Sequence, residues 1–110
     1  MQVRLGIWFD QEHIMRPSEI LRLKREEVLA LTARSRAANV RVFGSARHGE
    51  DRDGSDLDLL VDPLPGTTLF DLGALQVDLE ELLGVRVDLL TPGDLSSKFR
   101  ERVLREALPV

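Results

Sequence analysis

The chain's 110 residues suit one compact domain and leave little room for a second. Its 43% apolar and 31% charged residues are the mix of a globular protein, which excludes a disordered or fibrous chain. The lack of cysteine excludes disulfides, thiol nucleophiles and zinc–thiolate sites, and a net charge of -4 argues against direct nucleic-acid binding.

The opening residues show no basic stretch followed by a long apolar run, and no segment nears the roughly 18 apolar residues of a membrane helix. A cytoplasmic setting is expected. Residues 1–15 carry no helical period and are read as an N-terminal extension, an appended arm or a start-site extension, with the domain proper spanning 16–110. Ser18 reads as a helix N-cap with Glu19 in the first turn, and Ile20, Leu23, Val28 and Leu31 share one side of a single helix reaching about Ala38, where Asn39 stops it. Basic residues gather from Arg16 to Arg41 and from Lys98 to Arg105, and are read as solvated helix faces.

Val40-Arg41-Val42-Phe43 is a short strand that ends at Gly44-Ser45, followed by a polar, glycine-bearing stretch with a helical turn. Leu57 to Val61 forms a second strand, ended by Asp62-Pro63 and the Pro65-Gly66 turn. Thr68 caps the next helix with Asp71 in a capping box, Leu72, Leu75, Leu79 and Leu82 form its buried stripe, and Gly84 ends it. Val85 to Leu90 is a third strand, and a last helix runs from Ser97 to about Ala107, with Phe99, Val103 and Leu104 as an apolar strip read as core packing, with a partner surface as the alternative. This order predicts an α/β (α+β) fold, a small mixed sheet of three to four strands with helices packed on it.

The chemistry gathers around the first two strands. Strand side chains alternate, so Asp56 and Asp58 point the same way about 6.6–6.8 Å apart, while Leu57 and Leu59 face the core. Adjacent carboxylates repel unless a cation lies between them, and hard carboxylate oxygens suit a divalent one. Asp88 repeats the device between Val87 and Leu89. If its strand neighbours the first pair, three carboxylates converge and can hold two magnesium ions about 3.5–4 Å apart. Gly44 lets the backbone approach a ligand, and Ser45 offers a hydroxyl to phosphate oxygens. Three acids on one sheet face are hard to explain structurally, since acidic residues disfavour strands and repel each other. An alternative calcium loop over Asp51 to Asp56 fails: with Gly54 sixth, Gly49 and Leu60 would occupy the first and twelfth ligand positions.

Gly44-Ser45, a ten-residue spacer ending in Gly54-Ser55, and Asp56-Leu57-Asp58 resemble the signature of the polymerase-β-like nucleotidyltransferase superfamily, and within it the minimal nucleotidyltransferases. The resemblance runs from about Pro17 to the C-terminus, with Asp88 as the third acid. It implies that Asp56, Asp58 and Asp88 bind two Mg²⁺ ions and are catalytic, Asp88 helping to deprotonate an acceptor hydroxyl. It implies that Gly44, Ser45 and Arg47 bind the nucleotide, with ATP as substrate. His48 stands where arginine is common in that family, and is read as a solvent-exposed turn residue. Stand-alone members commonly pair with a helical HEPN-type toxin. The implied function is therefore an antitoxin that moves AMP onto a partner hydroxyl, with an antitoxin acting by binding alone as the alternative. A homo-oligomer is compatible with either.

Overall fold

The computed structural model describes residues 15–52 and 54–110, so the expectation for the first residues lies almost wholly outside it. The described part holds four helices and a four-stranded mixed sheet. In chain order these are α1 (Pro17–Leu23), α2 (Arg25–Arg34), β1 (Ala37–Phe43), β2 (Leu57–Pro63), α3 (Leu69–Leu83), β3 (Val87–Leu90), α4 (Ser97–Glu106) and β4 (Leu108–Pro109). The sheet order is β3-β2-β1-β4, with β1 antiparallel to β2 and β4, and β2 parallel to β3.

The parallel pair exists because α3 carries the chain back across the sheet. Thr68 and Asp71 form the expected capping box: the Asp71 N–H donates to Thr68 Oγ1 (3.1 Å) and the Thr68 N–H to Asp71 Oδ2 (2.9 Å). Gly84 stops the helix at φ 70°, a left-handed conformation that glycine adopts without steric cost. Between these ends α3 buries Leu75, Leu79 and Leu83, while Leu72 and Leu82 are partly buried beside them. They meet Leu57, Leu59 and Val61 of β2, all withdrawn from solvent, so one face of the central strand is core. Two polar groups of α3 also close the open edge of β3. Glu80 Oε2 accepts the Val87 N–H (3.0 Å) and Gln76 Oε1 the Leu89 N–H (3.2 Å), so the edge strand offers fewer free donors.

The N-terminal helix departs from expectation. It begins at Pro17, with Arg16 rather than Ser18 as the capping position, because proline has no N–H to satisfy and is pre-set for a first helical turn. Glu19 reaches back to accept the Arg16 N–H (2.8 Å), and that backbone hydrogen bond lowers the Glu19 pKa. The single helix predicted to reach Ala38 is two helices, broken at Lys24 (φ −108°, ψ 24°), whose Nζ donates to the Leu82 carbonyl of α3 (3.0 Å). α2 ends at Arg34, and Asn39 is not a helix stop. It lies inside β1 at φ 54°, where the register with β2 shifts between Ala38 and Arg41. Asn39 and Arg41 both bond Asp62 across the pair, at 2.9 and 2.7 Å, which fastens this irregular stretch.

The last helix also differs. None of α4 is buried, and Phe99 is half exposed, so the Phe99–Val103–Leu104 strip is not part of the main core. After it, the chain adds β4 to the outer edge of β1, where the Val110 N–H bonds the Val40 carbonyl (3.0 Å).

Candidate active site

Asp58 is the pivot of the site. In β2 it is paired across the sheet with Phe43 of β1 on one side and Asp88 of β3 on the other. The parallel register puts Asp58 and Asp88 on the same row, and the Asp88 carboxyl comes within hydrogen-bonding reach of Asp58. Asp58 is partly buried, whereas Asp56 and Asp88 are exposed. Burial first, then the charge and hydrogen bond of Asp88, then the charge of Asp56, push the Asp58 pKa up to about 6.

Gly44 follows Phe43 directly and turns at φ 72°. A β-carbon at this position would collide with Asp58 Oδ2, so only glycine brings the backbone this close to the carboxylate. A short 3₁₀ turn then spans Gly44–His48, with Ser45 and His48 exposed and Ala46 buried as its anchor. The loop back to β2 is tied to α1 at two points. Arg16 Nη1 donates to the Gly49 carbonyl (2.7 Å), and the Ser18 N–H donates to Oδ2 of the buried Asp51 (2.8 Å).

The structure therefore brings Gly44, Ser45, Asp58 and Asp88 together. Asp56 stands one strand repeat before Asp58 and faces Arg86, whose Nε lies 3.7 Å from Asp56 Oδ1. Arg47 also comes to this end of the sheet, in an ion pair with Glu106 of α4 (3.0 Å). From the sequence alone, Arg86 and Glu106 receive no role, and Asp51 enters only the rejected calcium loop. Arg86 was visible as the residue two before Asp88 on the same strand face, whereas Asp51 and Glu106 meet their partners only through long-range packing.

Among the described residues, no group of three or more His, Asp or Glu side chains closes around a point as a ready-made metal cage. The donor set nonetheless suits a hard cation. Asp58 and Asp88 present adjacent carboxylate oxygens, and the causes that raise the Asp58 pKa, burial and the neighbouring acids, are ones that a bound cation would offset. Two cavities flank these acids. One of about 630 Å³ opens at Asp56 between α1 and the end of α3, with Ile20, Lys24, Leu82 and Arg86 on its walls. A smaller one of about 210 Å³ lies against Gly44 beneath α4.

Comparison with known proteins shows the family and the fold. The family profile of the nucleotidyltransferase domain matches residues 22–110. A Methanocaldococcus jannaschii protein, provisionally named a protein adenylyltransferase, is 33% identical over 86 residues, covering 78% of this chain and 92% of that one. The protein adenylyltransferase MntA of Thermococcus cleftensis is 44% identical over 69 residues, covering 63% of this chain and 70% of its own. A solved structure provisionally described as a minimal nucleotidyltransferase superimposes with a TM-score of 0.77 at 54% identity, over 84% of this chain and 95% of that chain. A toxin–antitoxin structure with AMP-PNP shares the fold at a TM-score of 0.65 and 20% identity, over 76% of this chain and 69% of the other.

Proposed function

The chain belongs to the nucleotidyltransferase domain family, and from that premise we propose that it transfers AMP from ATP to a hydroxyl of a partner protein, as the antitoxin of a HEPN-type toxin. The observation that carries the reading is the Asp58–Asp88 row beside Gly44, two carboxylates on adjacent strands against a backbone stripped of its β-carbon. Protein adenylyltransferase relatives support the acceptor class, and the toxin–antitoxin neighbour fits the partner class.

Asp56, Asp58 and Asp88 would hold magnesium, which when bound supplies charge neutralisation at the phosphates. Gly44 and Ser45 receive the triphosphate, the glycine by close backbone approach and the serine through its exposed hydroxyl. Asp88, exposed where its row partner Asp58 is partly buried, accepts the proton of the acceptor hydroxyl. The hydroxyl oxygen then forms a bond to the α-phosphorus. The bond from that phosphorus to the bridging oxygen breaks, and pyrophosphate leaves with the electron pair. Positioning and charge compensation account for most of the acceleration in such transfers, which suits a site with no covalent nucleophile. No described helix is long and apolar enough to cross a membrane.

The test uses the purified protein, magnesium and ATP labelled at the α-phosphate, with and without the product of the neighbouring gene. The Asp56→Asn/Asp58→Asn variant runs in parallel. Label on the partner with the wild type alone supports the proposal. A stable complex formed equally by both versions, without label, replaces it with an antitoxin that acts by binding.

A further inference from the structure

We propose that α4 furnishes a polyphosphate subsite in which Arg102 binds the pyrophosphate end of the nucleotide, from the 210 Å³ cavity that joins Arg102 and Arg47 to Gly44. The inference rests on the nucleotidyl-transfer reading and names a residue that the reading does not contain. Its starting point is charge. A nucleoside triphosphate brought to Asp56, Asp58 and Asp88 meets three carboxylates, so its terminal phosphates need cationic side chains nearby.

Most basic groups around the site are already engaged. Arg41 is held by Asp62 at 2.7 Å, and Arg16 by the Gly49 carbonyl at 2.7 Å. Lys24 is bonded to the Leu82 carbonyl, and Arg86 faces Asp56. Within α4, Arg100 clamps the carbonyls of Pro92 (2.8 Å) and Leu95 (2.9 Å) and fixes the start of the helix. Arg102 differs. It forms no ion pair among the described residues, and its guanidinium rests over the Phe99 ring, 5.8 Å from the centroid. That ring shapes the side chain's position without using its hydrogen-bond donors.

The cavity itself is lined by Phe43, Gly44, Arg47, Arg102, Val103 and Glu106. The lining thus holds two guanidinium groups and one carboxylate, and Glu106 pairs with Arg47 alone, which leaves the Arg102 charge uncompensated within the cavity. Arg47 spends Nη1 on Glu106, yet its Nε is buried with no acceptor. A buried donor without a partner marks a place where an oxygen is missing, and a phosphate oxygen supplies one. Planar guanidinium groups suit this ligand, since they can donate paired hydrogen bonds to phosphate. Glu106 holds Arg47 until the more highly charged ligand arrives.

The test measures binding of AMP-PNP and of AMP to the full chain with magnesium, for the wild type, Arg102→Ala and Arg102→Lys. Arg105→Ala removes an equal charge from the exposed last turn of the same helix and serves as control. Circular dichroism confirms that each variant is folded, as expected for exposed positions. Loss of one charged hydrogen-bonding group weakens AMP-PNP by on the order of tenfold in Arg102→Ala, with AMP unchanged and partial recovery in Arg102→Lys. Wild-type AMP-PNP affinity in Arg102→Ala, or an equal loss in Arg105→Ala, overturns the subsite and leaves the nucleotidyl-transfer reading intact. If the wild type itself binds neither nucleotide, both readings fall together.

Discussion

Replacing Asp58 by asparagine tests the electrostatics of the acid row directly. Asp58 ionises at about 6 in the fold against an ordinary value of 3.8, so the folded state holds its proton more tightly than the unfolded chain. The contribution to stability is therefore full below pH 3.8 and is lost as pH rises through about 6. By neutral pH the metal-free protein carries the full cost of burying the Asp58 charge and of its repulsion with Asp88 and Asp56. A shift of two pKa units corresponds to about 3 kcal/mol, which solvent around a partly exposed carboxyl screens to about 1 kcal/mol. Asparagine keeps the shape and mimics the protonated form. In EDTA at pH 8, Asp58→Asn should raise the unfolding midpoint by roughly 5 °C, and the gap should close on moving to pH 4. Magnesium should stabilise the wild type and leave the variant unmoved, while AMP transfer is abolished in the variant. Thermal unfolding at four pH values, with and without magnesium, reads all of this. A variant no more stable than the wild type at pH 8, with the same pH slope, would refute the argument that burial and neighbouring acids strain the Asp58 charge.

Three further outcomes follow from the packing. Gly44→Ala combines a left-handed backbone with a collision at Asp58, and should cost about 1–3 kcal/mol in chemical denaturation and remove nucleotide binding. Asp51→Ala strands the Ser18 N–H at the loop anchor and should cost about 1–2 kcal/mol, with Asp51→Asn closer to the wild type, as measured by urea unfolding. Leu79→Ala opens a cavity at a fully buried position between α3 and β2. The expected loss is about 2–5 kcal/mol, and a loss under 1 kcal/mol would show that the helix is not seated there.

The features legible in the sequence are those whose physics is local. Thr68 and Asp71 reveal a helix start because the bonds that make it span three residues, and Gly84 reveals the end because a left-handed residue is needed at one position. Asp56 and Asp58 share a face by strand alternation alone. The errors have the opposite origin. Nothing near Lys24 breaks a helical pattern, and its bond to the Leu82 carbonyl spans 58 residues. Leu108-Pro109 has too few residues to show a period and becomes a strand only because β1 leaves an edge for it.

The same distinction separates the acids from the groups around them. The convergence of Asp58 with Asp88 needed one long-range fact, that β2 and β3 are neighbours in parallel register. Once α3 is seen as a crossover, that fact is nearly forced, because parallel strands require such a connection. The surroundings had no comparable guide. Asp51 sits in a polar stretch that reads as solvated, yet it is buried 33 residues away from the N–H it receives. Arg47 reads as a lone phosphate ligand, yet Glu106 reaches it across 59 residues. The carboxylates follow from alternation along a strand, which any neighbouring residues reveal. The cations proposed to balance a phosphate chain come from two separate places, Arg47 of the turn after β1 and Arg102 of α4, which only the fold brings to one cavity.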